Sequence, residues 1–144
     1  MKVLVDTNIV SELRKGARCD PHVAEWFAAL PAESVCLSVL VVGEIRQGIE
    51  RIRRRDPRAA RSLEAWLRRL VADHGERIFP VDQQVAEEWG RMNAASPAPV
   101  LDGLMAATAR VHGLTLATRN VKDVAQTGAR IVNPFEASSP ARPA

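Results

Sequence analysis

The chain has 144 residues, 47% of them hydrophobic, which suits one domain around a single core that needs neither disulfide nor metal to fold. Cys19 and Cys36 lack the spacing of a redox pair, no apolar run approaches the ~20 residues that cross a bilayer, and the start has no leader-like apolar segment. A reduced, soluble, cytoplasmic protein is therefore expected, and its formal charge of +3 is too small by itself to mark a polyanion binder.

Lys2 to Val5 reads as a buried strand that stops on Asp6, and Thr7 to Lys15 as a short helix with Ile9, Val10 and Leu13 inward, closing near Gly16. Asp20-Pro21 supplies an N-cap and first-turn proline for a helix carrying Val23, Trp26, Phe27 and Leu30 on its apolar face. Val35 to Leu37 is a second strand. Ser38 caps the next helix, where Val41, Ile45, Ile49 and Ile52 keep helical spacing until Asp56-Pro57 breaks it. Residues 58–73 read as a helix with Leu63, Trp66, Leu67 and Leu70 on one side and arginines on the other.

Arg77 to Val81 is predicted as a third strand, followed by a helix capped by Asp82 that carries Val85, Trp89 and Met92, and a proline-rich loop over 94–99. Val100 to His112 is a further helix closed by Gly113 as a left-handed C-cap, Leu114 to Ala117 a fourth strand, and Ile131-Val132 a candidate fifth. Short apolar strands alternating with amphipathic helices require crossovers, so the fold class is α/β with a parallel sheet of four to five strands covered on both faces. The domain is expected to span 1–135, with residues 136–144 as a disordered tail rich in Ser, Pro and Ala.

Acids recur where such a sheet binds ligands, beyond the carboxyl ends of its strands. Asp6 ends the first strand, where a buried charge is costly unless a cation meets it; capping the helix at Thr7 is the plainer role. Glu44 lies on an inward stripe with Leu40 and Val41, and Gly43 and Gly48, unfavourable in a helix, leave room for close packing or ligand access. Asp102 stands in the first turn of its helix, which the macrodipole favours, yet its stripe of Met105, Ala106 and Ala109 faces the sheet. After the fourth strand, Asn120 and Asp123 compete for a further ligand role, each also suited to a turn or cap.

Inward carboxylates would repel and raise one another's pKa, and no lysine or arginine lies on the stripes of Glu44 or Asp102. Oxygen-only ligands of this kind favour a hard divalent cation, Mg²⁺ or Mn²⁺ as a substitute. Zinc is disfavoured because His22, His74 and His112 lack ligand spacing. Between Arg46 and Arg69 nine arginines face Glu50, Asp56 and Glu64. That run fits a solvated helix pair or a surface that steers nucleic acid.

Four segments together carry a family likeness: Val-Leu-Val-Asp-Thr-Asn at the start, Val-Val-Gly-Glu-Ile-Arg-Gln-Gly at 41–48, Leu-Asp-Gly-Leu-Met-Ala-Ala at 101–107 and Leu-Ala-Thr-Arg-Asn-Val-Lys-Asp at 116–123. In this order and spacing the chain resembles the PIN-domain ribonucleases, and within them the VapC toxins of type II toxin–antitoxin pairs, in the FitB-like branch that ends in a segment like Val132 to Phe135. The resemblance implies a three-layer α/β/α fold and a Mg²⁺-dependent endoribonuclease that hydrolyses RNA through metal-activated water. It assigns Asp6, Glu44 and Asp102 as acidic metal ligands, Asp123 or Asn120 as the fourth position, and Thr7, Asn8 and Thr118 to the site edge. Glu44 is either a ligand or the base, and Arg46, Arg51, Arg54 and Arg119 are the expected RNA contacts.

A small antitoxin that covers the site and contacts operator DNA, and a homodimer, are the partners implied, with the helices over 21–30 and 39–53 as candidate surfaces. Two departures bear on the substrate and the rim: the loop before Asp102 is short and proline-rich where relatives carry a longer basic segment, and Val124 replaces a usual aromatic. The alternatives are a co-repressor acting mainly through its antitoxin, and a phosphohydrolase using Asp6 as nucleophile. Against the second, the chain lacks an Asp-x-Asp start.

Overall fold

Five short parallel strands form one sheet in the order β3-β2-β1-β4-β5, where β1 is Val3–Val5, β2 Val35–Ser38, β3 Ile78–Phe79, β4 Thr115–Ala117 and β5 Ile131–Val132. This is a computed structural model, and it describes residues 1–136. Seven helices connect the strands: α1 (Thr7–Leu13), α2 (Pro21–Ala28), α3 (Val39–Arg53), α4 (Pro57–His74), α5 (Gln83–Ala95), α6 (Val100–His112) and α7 (Val121–Val124). The α/β class and three-layer arrangement expected from the residues are found.

The chain steps from β1 through β2 to β3 on one side, then returns across β1 to lay down β4 and β5 on the other. Right-handed crossovers therefore put α1 to α4 on one face and α5 to α7 on the opposite one. The contacts agree: α1 packs on α2 and α3, and α4 on β2, whereas α6 packs on β1, β4, α5 and α7. Covered on both faces, the central strand is apolar throughout, with Leu4 in register between Cys36 and Leu116. Leu4, Ile9, Leu37 and Leu116 are almost wholly buried, each contributing roughly 1.5–3 kcal/mol of transfer free energy.

Several element ends differ from expectation for local reasons. The third strand is only two residues long because Arg77 lies in a single 3-10 turn and Pro80 has no N–H for the ladder. The alanines at 94 and 95 extend α5 beyond its expected end. Phe27, expected inward, is 36% exposed, and α2 buries only Val23 completely. The one-turn helix α7 was not foreseen, since four residues are too few to show a period.

Asp20, Ser38, Asp56 and Asp82 each accept backbone N–H bonds at helix starts, and Gly113 takes φ 66° as a left-handed cap. No helix among the described residues is long and apolar enough to cross a membrane. The expected tail over 136–144 lies outside the described residues except for Glu136.

Candidate functional site

The order of the strands reverses between β1 and β4, and the carboxyl ends of those two strands carry Asp6 and Thr118. That crevice is where open α/β sheets bind ligands. Asp6 continues the ladder through its N–H to the Ala117 carbonyl at 2.9 Å, which fixes its side chain at the sheet edge while leaving it 6% exposed. Its Oδ1 accepts the Thr7 N–H at 2.7 Å, and its Oδ2 accepts the Thr118 hydroxyl at 2.7 Å and the Asn8 amide at 3.2 Å. Asp6 therefore does cap α1, and the cap uses one oxygen only.

Thr118 and Asn8 tie the two strand ends together. The Thr118 hydroxyl accepts the Asn120 N–H at 3.0 Å, and the Asn8 side-chain oxygen accepts the Arg119 N–H at 3.2 Å. Thr7 donates its hydroxyl to Glu44 Oε1 at 2.7 Å, linking α1 to α3. Helices α1, α3, α6 and α7 all begin at this edge, so their positive ends offset part of the acidic charge gathered there.

Asp102 stands in the first turn of α6. Partial burial raises its carboxyl pKa first, and the negative charges of Asp6, Asp123 and Glu44 raise it further, while the Asn120 side chain acts in the opposite direction. The negative charges of the other three acids are thus all felt at Asp102, and Asn120 and Asp123 are both exposed. None of the four forms an ion pair with arginine, lysine or histidine among the described residues. Among the same residues no three acidic, histidine or cysteine side chains stand close enough to form a closed metal cage. The donor set nonetheless fits a hard divalent cation: all ligand atoms are oxygen, the hydrogen bonds to Asp6 and Glu44 come from neutral groups, and among the described residues no side-chain cation pairs with these acids.

The arginines separate into two groups. Arg46 and Arg53 hold Glu50 and Glu64 in an ion-pair network between α3 and α4, which pulls both carboxyl pKa values down. Arg46 is thus an interhelix strut. Arg51 and Arg54 are exposed and without an acidic partner among the described residues. Arg119 is fixed beside Thr118, its guanidinium 4.4 Å from the centre of the Phe135 ring.

Packing does not explain Gly43 or Gly48, because a Cβ at either position would meet nothing within 4 Å. Each costs α3 about 1 kcal/mol relative to alanine. Gly103 is different: a Cβ there would lie 3.1 Å from Trp89 Nε1, so its absence lets the indole pack against the α6 backbone. That contact and the Phe135 platform were not legible in the sequence, since neither shows as a local pattern.

Over residues 3–128 the chain matches the family described as PIN domain. It belongs to the PIN-domain family. The PIN domain is similar over nearly its whole length to VapC ribonuclease Y4jK of Sinorhizobium fredii, with 31% identity covering 93% of this chain and 98% of the relative. Toxin FitB of Neisseria gonorrhoeae is 29% identical over 92% of this chain and 98% of its own. Among solved structures, that of FitAB bound to an IR36 DNA fragment superposes with a TM-score of 0.85 and 26% identity, covering 95% of this PIN domain and 98% of the matched chain.

Proposed function

We propose that the protein is the toxin of a type II toxin–antitoxin pair and acts as a Mg²⁺-dependent endoribonuclease at the crevice between β1 and β4. The observation that carries this reading is that the negative charges of Asp6, Glu44 and Asp123 are all felt at Asp102, with no side-chain cation paired to any of the four among the described residues. The likeness to proteins named as a VapC ribonuclease and as Toxin FitB supports the same reading.

Asp6 and Asp102 would hold the cation most directly, with Asp123 or Asn120 completing the oxygen ligands. Bound there, Mg²⁺ or Mn²⁺ supplies Lewis acidity, acidifying a nearby water and offsetting charge on the phosphoryl group and the leaving 3′ oxygen. Thr118, Asn8 and the Thr7 N–H hold the Asp6 carboxylate in one orientation, in which it would meet the cation. Glu44 Oε1 is occupied by the Thr7 hydroxyl, so its other oxygen remains to take the proton of the attacking water or to join the ligand set. Arg119, stacked on Phe135, presents donors to a phosphate at the edge of the site.

The partner is a small antitoxin that covers this edge and carries the operator-binding element; the similarity to FitAB bound to an IR36 DNA fragment supports a partner that reaches DNA. Phe27 on α2 and the groove between α3 and α4, where Val39 and Val71 are 40% and 39% exposed, supply apolar surface for that partner or for a second copy. The test is cleavage of a panel of structured RNAs. The parent protein should cut with Mg²⁺ and stop on chelation, and Asp102→Asn should be inactive. Equal cleavage by both refutes the assigned centre.

A further inference from the structure

Helix α3 leads away from Glu44 along a face whose composition neither packing nor helix stability explains. At 3.6 residues per turn, Arg51 returns to within about 20° of Glu44 and lies about 10 Å further along the axis. Gly48 stands between them on the same face. Arg54 caps the C-terminus of the helix and lines an open cleft with Gln47, Arg51 and the paired Glu50 and Arg53, and Arg55 follows it in the turn to α4. Arg51, Arg54 and Arg55 are exposed and have no acidic partner among the described residues. The nearby carboxylates, Glu50 and Glu64, are already held by Arg46 and Arg53, which project from the side of the helix roughly opposite Glu44.

Gly48 is the informative residue. It is unfavourable in the interior of a fifteen-residue helix, and the protein gains no packing from it, since a Cβ there would meet nothing within 4 Å. What its missing side chain does provide is a low stretch of helix surface between an acid at the proposed scissile position and a set of free guanidinium groups. An extended polyanion can lie against the backbone there and reach both ends.

We propose that the Glu44–Gly48–Arg51 face of α3, extended by Arg54 and Arg55, is the track that holds the flank of the RNA strand cut at the acidic crevice. The proposal rests on the nuclease reading above and adds a direction to it: the strand runs from the carboxylates towards the α3–α4 turn. Phosphates are held by Arg51, Arg54 and Arg55, and Gly48 sets the distance of approach.

The test is binding of a labelled single-stranded RNA to the full chain carrying Asp102→Asn, so that affinity is read without cleavage. Adding Gly48→Ala should raise the melting temperature, because alanine is the better helix former, and yet weaken RNA binding about tenfold. Gly43→Ala, on another face of the same helix, should raise the melting temperature similarly and leave RNA binding unchanged. Replacing Arg51 and Arg55 together with alanine should flatten the dependence of log affinity on log salt by about 1.4, two single-strand phosphate contacts.

Unchanged binding in Gly48→Ala, equal weakening in Gly43→Ala, or an unaltered salt slope overturns the track. Tighter binding of duplex DNA than of RNA overturns the assignment of its occupant. If the parent cuts no RNA while the salt slope falls as described, the nuclease reading fails and the track stands. If it cuts RNA and the variants bind like their parent, the reverse holds.

Discussion

Thr118 donates a 2.7 Å hydrogen bond to the carboxylate of Asp6, although the two residues lie 112 positions apart in the chain. The bond crosses the point where the strand order reverses, so it joins the two halves of the sheet at the place where a ligand would sit. It also uses both capacities of the hydroxyl, because Thr118 accepts the Asn120 N–H that opens the last helix.

Replacing Thr118 with valine keeps the shape and removes the hydroxyl. The buried Asp6 loses a donor, and the Asn120 N–H loses its acceptor. A loss of about 1.5–3 kcal/mol in urea unfolding is expected, with most of it recovered in Thr118→Ser. A change below about 0.5 kcal/mol in the valine variant would mean that the bond contributes little to the sheet edge.

Asp102→Asn should stabilise the protein in chelator at neutral pH. The folded-state pKa of Asp102 is raised by burial and by its acidic neighbours, so folding favours the protonated form. The stability this gives is present below the ordinary carboxylate value of 3.8 and is lost as pH rises through the higher folded value. The variant should therefore melt above the parent at pH ~7, and the gap should close on acidification as the parent's carboxyl takes up its proton. Saturating Mn²⁺ should reverse the order, because only the parent gains binding energy in the folded state. Equal melting temperatures at neutral pH in chelator would contradict the repulsion.

Gly103→Ala places a methyl group 3.1 Å from Trp89 Nε1 and 3.2 Å from its Cδ1. Overpacking costs about 1–3 kcal/mol, and the better helix propensity of alanine returns about 1 kcal/mol of that. A net loss near 1 kcal/mol is expected, together with a changed tryptophan emission as the indole shifts at the α5–α6 interface. A more stable variant with unaltered emission would show that the α5–α6 interface yields freely.

Much of the fold can be read along the chain because its signals are local. Asp20-Pro21, Ser38, Asp56-Pro57 and Asp82 announce helix starts, Gly113 announces an end, and the three buried residues of β1 are apolar because both faces are covered. Asp6, Glu44, Asp102 and the Asn120 to Asp123 turn were legible because acids at strand ends and on inward stripes conflict with burial. Other features depend on residues that only folding brings together. Arg46 resembled its neighbours until Glu64 of the next helix was found beside it, and Arg119 gave no sign of Phe135 beneath it. Phe27 keeps helical spacing with Val23, yet it lines a cavity with Leu13, Leu37 and Trp66 and stays partly exposed.

The most direct test of the account is binding of Mn²⁺ alone to the full chain, followed by electron paramagnetic resonance and calorimetry, in the parent and in Asp6→Asn/Asp102→Asn. The parent should bind the ion, and the double variant, still folded by circular dichroism, should lose it. Undiminished binding by the double variant, or no binding by the parent at millimolar metal, would contradict a cation centre between β1 and β4.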